Sequence, residues 1–96
     1  MLNKEQKKHL LSLSHNSDPV VWVGQNGLTE NVLDEIENAL EYHELIKVKI
    51  RVGEREMRDQ VVGDICSKTE AELVKKIGNV VTLYRRNKKK PKIKLP

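Results

Sequence analysis

The clearest alternation of apolar and polar residues runs from Leu45 to Val52. Since successive side chains of a strand point to opposite faces, the alternation predicts a half-buried strand with a basic outer face. Its inward residues are Ile46, Val48, Ile50 and Val52, and its outward residues are Lys47, Lys49 and Arg51.

Helical spacing of apolar residues predicts two helices in the first half of the chain. The first covers roughly residues 4–14 and begins at a capping box made by Asn3 and Gln6. The second runs from a cap at Thr29 to about His43, and its exposed side is acidic. Its predicted buried face consists of Val32, Leu33, Ile36, Ala39, Leu40 and His43.

A third helix is predicted from about Arg55 to Ser67. Its expected buried residues are Met57, Val61, Val62, Ile65 and Cys66. The run Val20–Val23 is apolar throughout, which favours a strand covered on both faces and places Trp22 in the core.

Two more strands close the chain, over Glu72–Ile77 and Val80–Arg86. Gly78 and Asn79 between them suit a two-residue hairpin turn. The order α-β-α-β-α-β-β therefore predicts one compact α/β domain with a four-stranded mixed sheet. Strand–helix–strand alternation implies a parallel pair, and the hairpin adds an antiparallel edge.

Basic residues are concentrated near the C-terminus, and the whole chain has a formal net charge of +4. The segment is too charged to pack, except through Ile93 and Leu95, so we expect a domain over residues 1–86 and a basic tail over 87–96. Such a tail is either a solubilising end or a contact for a polyanion. The basic residues of the tail are Lys88, Lys89, Lys90, Lys92 and Lys94, and Arg85 and Arg86 come directly before it.

The remaining composition favours a cytoplasmic, soluble, non-enzymatic protein. Cys66 is the single cysteine, so no internal disulfide can form, which fits a reducing compartment. The first residues lack a signal-peptide core, and no apolar run approaches the roughly 20 residues of a membrane span. His9, His15 and His43 show no metal-ligand spacing, and we expect neither catalytic residues nor a metal or cofactor.

Two glycines bracket the loop Gly24-Gln25-Asn26-Gly27 between a predicted strand and a predicted helix. Helix N-termini carry unpaired N–H groups and partial positive charge, so the loop could hold an anionic oxygen. A plain turn is the commoner use of such glycines. In a basic chain, however, the context favours a phosphate clamp like the GxxG loop of KH domains. The loop matches neither the dinucleotide fingerprint nor the P-loop.

Aromatic residues are scarce: the chain has Trp22, Tyr42, Tyr84 and no phenylalanine. A sheet that stacks bases on several aromatic rings is therefore not expected. With Trp22 in the core, binding should depend on backbone and phosphate contacts.

Several stretches together resemble the CRM domain family, named for chloroplast RNA splicing and ribosome maturation, and its bacterial single-domain YhbY type. They are Pro19–Thr29, His43–Lys49, Gly78–Arg86 and Lys92–Pro96. The resemblance implies a fold like the C-terminal domain of translation initiation factor three. It also implies RNA binding through the GxxG loop and a role on precursors of the large ribosomal subunit.

The predicted function is thus binding of ribosomal RNA during large-subunit assembly, by a monomer. The alternative is a module that binds polyanions or an acidic protein through the basic tail. The predicted RNA-binding residues are Gly24, Gln25, Asn26, Gly27, Lys4, Lys7, Lys8, Lys47, Lys49, Arg51, Arg85, Arg86, Lys88, Lys89 and Lys90.

Overall fold

Three helices and four strands make up the computed structural model, which describes residues 1–96. The α/β class and the order of elements agree with the prediction. The elements are α1 (Lys4–Leu13), β1 (Val21–Val23), α2 (Glu30–His43), β2 (Leu45–Ile50), α3 (Arg55–Thr69), β3 (Glu72–Ile77) and β4 (Val80–Tyr84).

The strands form one mixed sheet in the order β1-β2-β4-β3. β1 and β2 are parallel, with Val23 opposite Ile50, so both strands end at the same edge of the sheet. β4 pairs antiparallel with β2 and with β3. The predicted hairpin turn is present, and Gly78 adopts a φ of 59° that favours glycine.

Local polar contacts begin the first two helices where the sequence predicted. The Asn3 side chain accepts from the Gln6 N–H at 2.8 Å, and the Gln6 side chain accepts from the Asn3 N–H at 3.1 Å. At α2, the Thr29 hydroxyl accepts from the Val32 N–H at 3.3 Å. These contacts satisfy N–H groups that have no partner within the helix.

One face of the sheet is covered by α2 and α3 and contains the main core. Ile36 and Leu40 of α2 are fully buried there, as predicted. Two predictions on this side were wrong: Met57 is 51% exposed and His43 is also exposed. The buried residues of α3 begin at Val62, so its first turn lies outside the core contact.

The other face is covered over part of its area by α1 and the chain end. Leu10, Val74 and Tyr84 form a small second core, against which Ile93 and Leu95 pack. The segment 87–96 is therefore not a free tail, although its lysines are exposed. None of the helices has the length and apolar character needed to cross a membrane.

A buried carboxylate attaches this segment to the fold. Glu44 is fully buried and accepts from the backbone N–H groups of Asn87 at 2.7 Å, Lys92 at 2.6 Å and Ile93 at 2.7 Å. Its φ of 65° is rare for an L residue and costs of order 1–3 kcal/mol. The three charge-assisted hydrogen bonds offset that strain.

Trp22 is not in the core. β1 is an edge strand whose burial alternates, with Val21 and Val23 inside and Trp22 51% exposed. The prediction failed because no helix covers this end of the second face. A run of apolar residues therefore gives an exposed aromatic ring here.

Candidate nucleic-acid interface

The two-glycine loop lies at the edge of the sheet where both parallel strands end. The Arg51 N–H donates to the Val23 carbonyl at 2.7 Å, which joins the two strand ends. The Gly27 N–H then donates to the Gly24 carbonyl at 2.9 Å and closes the loop as a tight turn. The Gln25 side chain donates to the Arg51 carbonyl at 3.3 Å, so the loop is attached to the end of β2.

Backbone donors in this loop have no partner in the protein. The N–H groups of Gln25 and Asn26 make no hydrogen bond within the chain, and both residues are exposed. The N-terminus of α2 follows at Glu30, with its own partial positive charge. These N–H groups can donate hydrogen bonds to an anionic oxygen without breaking any contact within the protein.

The two glycines of the loop differ in whether the backbone conformation requires them. Gly27 has a φ of 73°, a conformation that L side chains rarely adopt, so the turn itself requires glycine there. Gly24 has no positive φ, and a Cβ on it would meet no atom within 4 Å. Since the fold does not require glycine at position 24, a ligand that approaches the backbone closely would explain it.

Basic side chains of β2 extend from the loop across the second face of the sheet. Lys47 and Lys49 are half-buried on the outer side of the strand, and Arg51 is exposed just beyond its end. The Lys47 ammonium donates to the Ser17 carbonyl at 3.0 Å. Of these three basic side chains, Lys49 and Arg51 therefore make no hydrogen bond or ion pair within the protein.

Arg85, predicted to contact phosphate, is instead engaged by the acidic helix. Its Nη1 donates to Glu37 Oε2 at 2.8 Å and to the Thr69 carbonyl at 3.0 Å. Its Nη2 donates to Glu41 Oε2 at 3.2 Å and to the Glu37 carbonyl at 3.4 Å. The guanidinium thus holds the end of β4 against α2, and a contact between Arg85 and RNA stays a prediction.

Lys88, Lys89 and Lys90 are exposed in a turn that lies far from the loop. The Asn87 side chain accepts from the N–H groups of Lys89 and Lys90 at 3.0 and 3.1 Å and shapes this turn. The turn lies near Glu44, past the C-terminal end of α2, whereas the glycine loop precedes its N-terminus. The 14 residues of α2 span about 20 Å, so the structure forms two separate basic regions.

The lysines of α1 belong to neither the loop nor the turn. Lys4 and Lys8 are exposed and Lys7 is half-buried. α1 packs on β3, and its start is attached by the Leu2 N–H, which donates to Glu72 Oε2 at 2.9 Å. This helix begins on the side of the sheet where the chain ends, and Arg86 is exposed on the same side.

Sequence reasoning did not select three residues that the structure makes accessible to a ligand. Arg55 is exposed at the start of α3, a few residues after β2 ends near the loop. Lys75 is exposed on β3, on the same face as Lys47. Trp22 lies two residues before the loop. The exposure of Trp22 could have been predicted only by recognising that its strand lies at the edge of the sheet.

Groups with other possible chemistry are not activated here. Burial raises the pKa of the Cys66 thiol above its ordinary value, and the Glu72 carboxylate adds to the shift. A thiol that stays protonated at neutral pH is a poor nucleophile. No three His, Cys, Asp or Glu side chains converge to form a metal-binding group.

The fold and the loop define a small α/β domain with a donor-rich turn and a basic sheet face, a type suited to an anionic polymer. The chain belongs to the CRS1/YhbY (CRM) domain family, whose model matches residues 2–85. The resemblance stated from the sequence motifs is thereby confirmed.

Relatives cover nearly the whole chain. A Haemophilus influenzae RNA-binding protein is 47% identical over 95 residues, which is 99% of this chain and 95% of the relative. The Bacillus subtilis protein YqeI, named a probable RNA-binding protein, is 35% identical, with 100% of both chains covered. The solution structure of SAV1595 from Staphylococcus aureus, proposed to bind RNA, has a TM-score of 0.84 at 36% identity over 100% of both chains.

Proposed function

We propose that this protein binds ribosomal RNA, without catalysing a reaction, in the cytoplasm during assembly of the large ribosomal subunit. The observation that carries the proposal is the glycine loop, with unpartnered N–H groups on Gln25 and Asn26 and an open approach to Gly24. Membership of a family with relatives named RNA-binding or probable RNA-binding proteins supports RNA as the polyanion.

Phosphate contacts would come from two sides of the molecule. The loop would hold one phosphate through backbone N–H groups, and Lys49 and Arg51 would hold its neighbours. The lysine turn Lys88–Lys90 would contact RNA about 20 Å away, at the other end of α2. An RNA that reaches both regions must be several nucleotides long or folded.

The acidic side of α2 argues for a defined orientation on the RNA. Asp34 and Glu35 are exposed on this helix and form no ion pair, whereas Glu37 and Glu41 pair with Arg85. Like charges repel phosphate, so this surface would point away from the bound strand.

A second function is favoured by one observation, the exposed lysine turn that the Asn87 side chain shapes through two hydrogen bonds. A preformed cluster of Lys88, Lys89 and Lys90 could bind any polyanion or an acidic protein without help from the glycine loop.

Cross-linking in cells, followed by sequencing of RNA bound to the full chain, tests the proposal. Reads enriched in precursors of large-subunit ribosomal RNA are expected. Reads spread evenly over cellular RNA would favour the general polyanion binder, and recovery of protein without RNA would contradict RNA binding.

A further inference from the structure

An open strip of the sheet combines an exposed aromatic ring with lysines. Cross-strand register aligns Trp22, Lys49, Val80 and Ile77 in one row across all four strands. The two ends of the row are exposed, Trp22 by 51% and Ile77 by 65%. The next row contains Lys47 and Lys75 on either side of Thr82. We name the surface formed by the two rows the open sheet face; apart from the buried Thr82, it consists of Trp22, Lys47, Lys49, Lys75, Ile77 and Val80.

This surface is directly continuous with the glycine loop. Trp22 precedes Gly24 by two strand residues, which is about 7 Å of backbone. Lys49, its register partner, lies on the strand whose end is attached to the loop through Arg51. A phosphate held at the loop would therefore bring the base of an adjacent nucleotide over Trp22.

We propose that an unpaired base of single-stranded RNA stacks on Trp22, with Lys49 on a flanking phosphate. The inference rests on the proposed function and deepens it, because it adds a base-binding position to a site otherwise made of phosphate contacts. Exposed indole provides a flat apolar surface, and bases of any sequence have a face that can stack on it. Lysines beside the ring select an anionic partner over an apolar protein surface.

This single stacking position differs from the RNA-binding surface of a sheet that stacks bases on several aromatic rings. Trp22 is the single tryptophan, and the other end of its row is the aliphatic Ile77. One base would be stacked, beside the loop, and the rest of the strand would be held by charge. The selectivity is therefore for unpaired RNA over duplex, since a base within a duplex has no free face.

Fluorescence of the single tryptophan, in the intact chain, is the direct measurement. A short single-stranded oligoadenylate should quench it, whereas an abasic strand of the same length supplies phosphates without bases and should bind without comparable quenching. In parallel, the affinities of both strands are measured by anisotropy for the wild-type chain and for Trp22→Leu, Trp22→Phe and Lys49→Gln.

Trp22→Leu should weaken oligoadenylate binding by roughly 5- to 150-fold, the range of one lost stacking contact, and leave abasic binding unchanged. Trp22→Phe should recover most of the affinity. Lys49→Gln should weaken both strands alike. Because Trp22 is half exposed, we expect both Trp22 variants to fold, and urea midpoints equal to that of the wild type would establish this.

Equal loss of both strands in Trp22→Leu, or no loss of either, would overturn stacking while RNA binding stands. A wild-type chain that binds neither strand would overturn the proposed function, and this inference with it. If Trp22→Leu instead dissociates a dimer in sedimentation and leaves oligoadenylate affinity unchanged, the open sheet face is a contact between two copies, and stacking is wrong.

Discussion

The buried carboxylate of Glu44 accepts a hydrogen bond from the backbone of Ile93 at 2.7 Å, across 49 residues of sequence. Glu44 follows the last turn of α2, and Ile93 lies near the chain end. The pair closes the C-terminal segment onto the small core around Leu10 and Tyr84. The segment that gives the chain its basic character is thus held by an acid.

Replacing this acid should loosen the chain end. Glu44→Gln keeps the side-chain size, but its amide N–H₂ would face a backbone donor. We expect a loss of about 1–3 kcal/mol in the free energy of unfolding, the cost of leaving a buried group unsatisfied, together with faster tryptic cleavage after Lys88 and Lys89. Glu35→Gln, exposed on the same helix, is the control. Equal urea midpoints for the two variants would contradict the role of Glu44.

The main core can be tested on α2 and α3. Leu40 is fully buried and Met57 is 51% exposed. Leu40→Ala should cost about 2–5 kcal/mol of unfolding free energy because it leaves a cavity. Met57→Ala should change it by no more than about 0.5 kcal/mol. Urea denaturation measures the free energy of unfolding of both variants. Similar losses of stability would show that the first turn of α3 is buried in the core.

Alkaline pH should weaken the fold partly through Tyr84. Burial raises the pKa of its hydroxyl above the ordinary 10.0, the Glu44 carboxylate adds to the shift, and Arg86 opposes it. The folded chain then keeps a proton that the unfolded chain loses. This contribution is fully present below about pH 10 and is lost as the pH rises through the folded-state pKa.

The free energy of unfolding should therefore fall less between about pH 9 and pH 11 in Tyr84→Phe than in the wild type. Tyr42→Phe, altered at an exposed ring, is the control and should follow the wild-type curve. Parallel pH curves for all three chains would show that Tyr84 ionises equally in both states.

The lysine turn can be neutralised without disturbing its attachment. Lys88, Lys89 and Lys90 changed together to Gln leave the Glu44 and Asn87 contacts in place, unlike removal of residues 87–96. If all three touch phosphate of single-stranded RNA, the slope of log affinity against log salt should flatten by about 2. Lys68→Gln, exposed on α3, controls for a lost charge elsewhere.

Two outcomes would change the account of the turn. An unchanged slope in the triple variant would make it a solvated surface. Complete loss of RNA binding would make it the whole site, and the glycine loop would then be an ordinary turn.

Much of the fold follows from local sequence patterns. The capping box at Asn3, the cap at Thr29 and the alternation along β2 depend on neighbours within a few residues, and all three are present in the structure. The hairpin at Gly78 likewise needs only its own backbone conformation. Such signals are readable because the interactions are short in sequence.

The failures involve contacts distant in sequence. Apolarity alone could not show that no helix covers Trp22. Charge alone could not show that Arg85 is taken by Glu37 and Glu41, or that Glu44 holds the chain end, because each partner lies more than 40 residues away. In the candidate site, the loop and the basic outer side of β2 were therefore predictable, whereas the exposure of Trp22 and the ion pairs of Arg85 were not.

The glycine loop itself is tested most directly by Gly24→Ala compared with Gly63→Ala. Neither position has a positive φ, and a Cβ at either meets no atom within 4 Å, so both variants should fold. Gly63 lies inside α3, where alanine should add about 0.5–1 kcal/mol of stability and leave RNA affinity unchanged. Gly24→Ala should keep the wild-type urea midpoint and weaken RNA binding about tenfold or more, equivalent to about 1.4 kcal/mol, because the methyl group obstructs the phosphate. A folded Gly24→Ala chain that binds RNA as tightly as the Gly63→Ala chain would contradict the clamp.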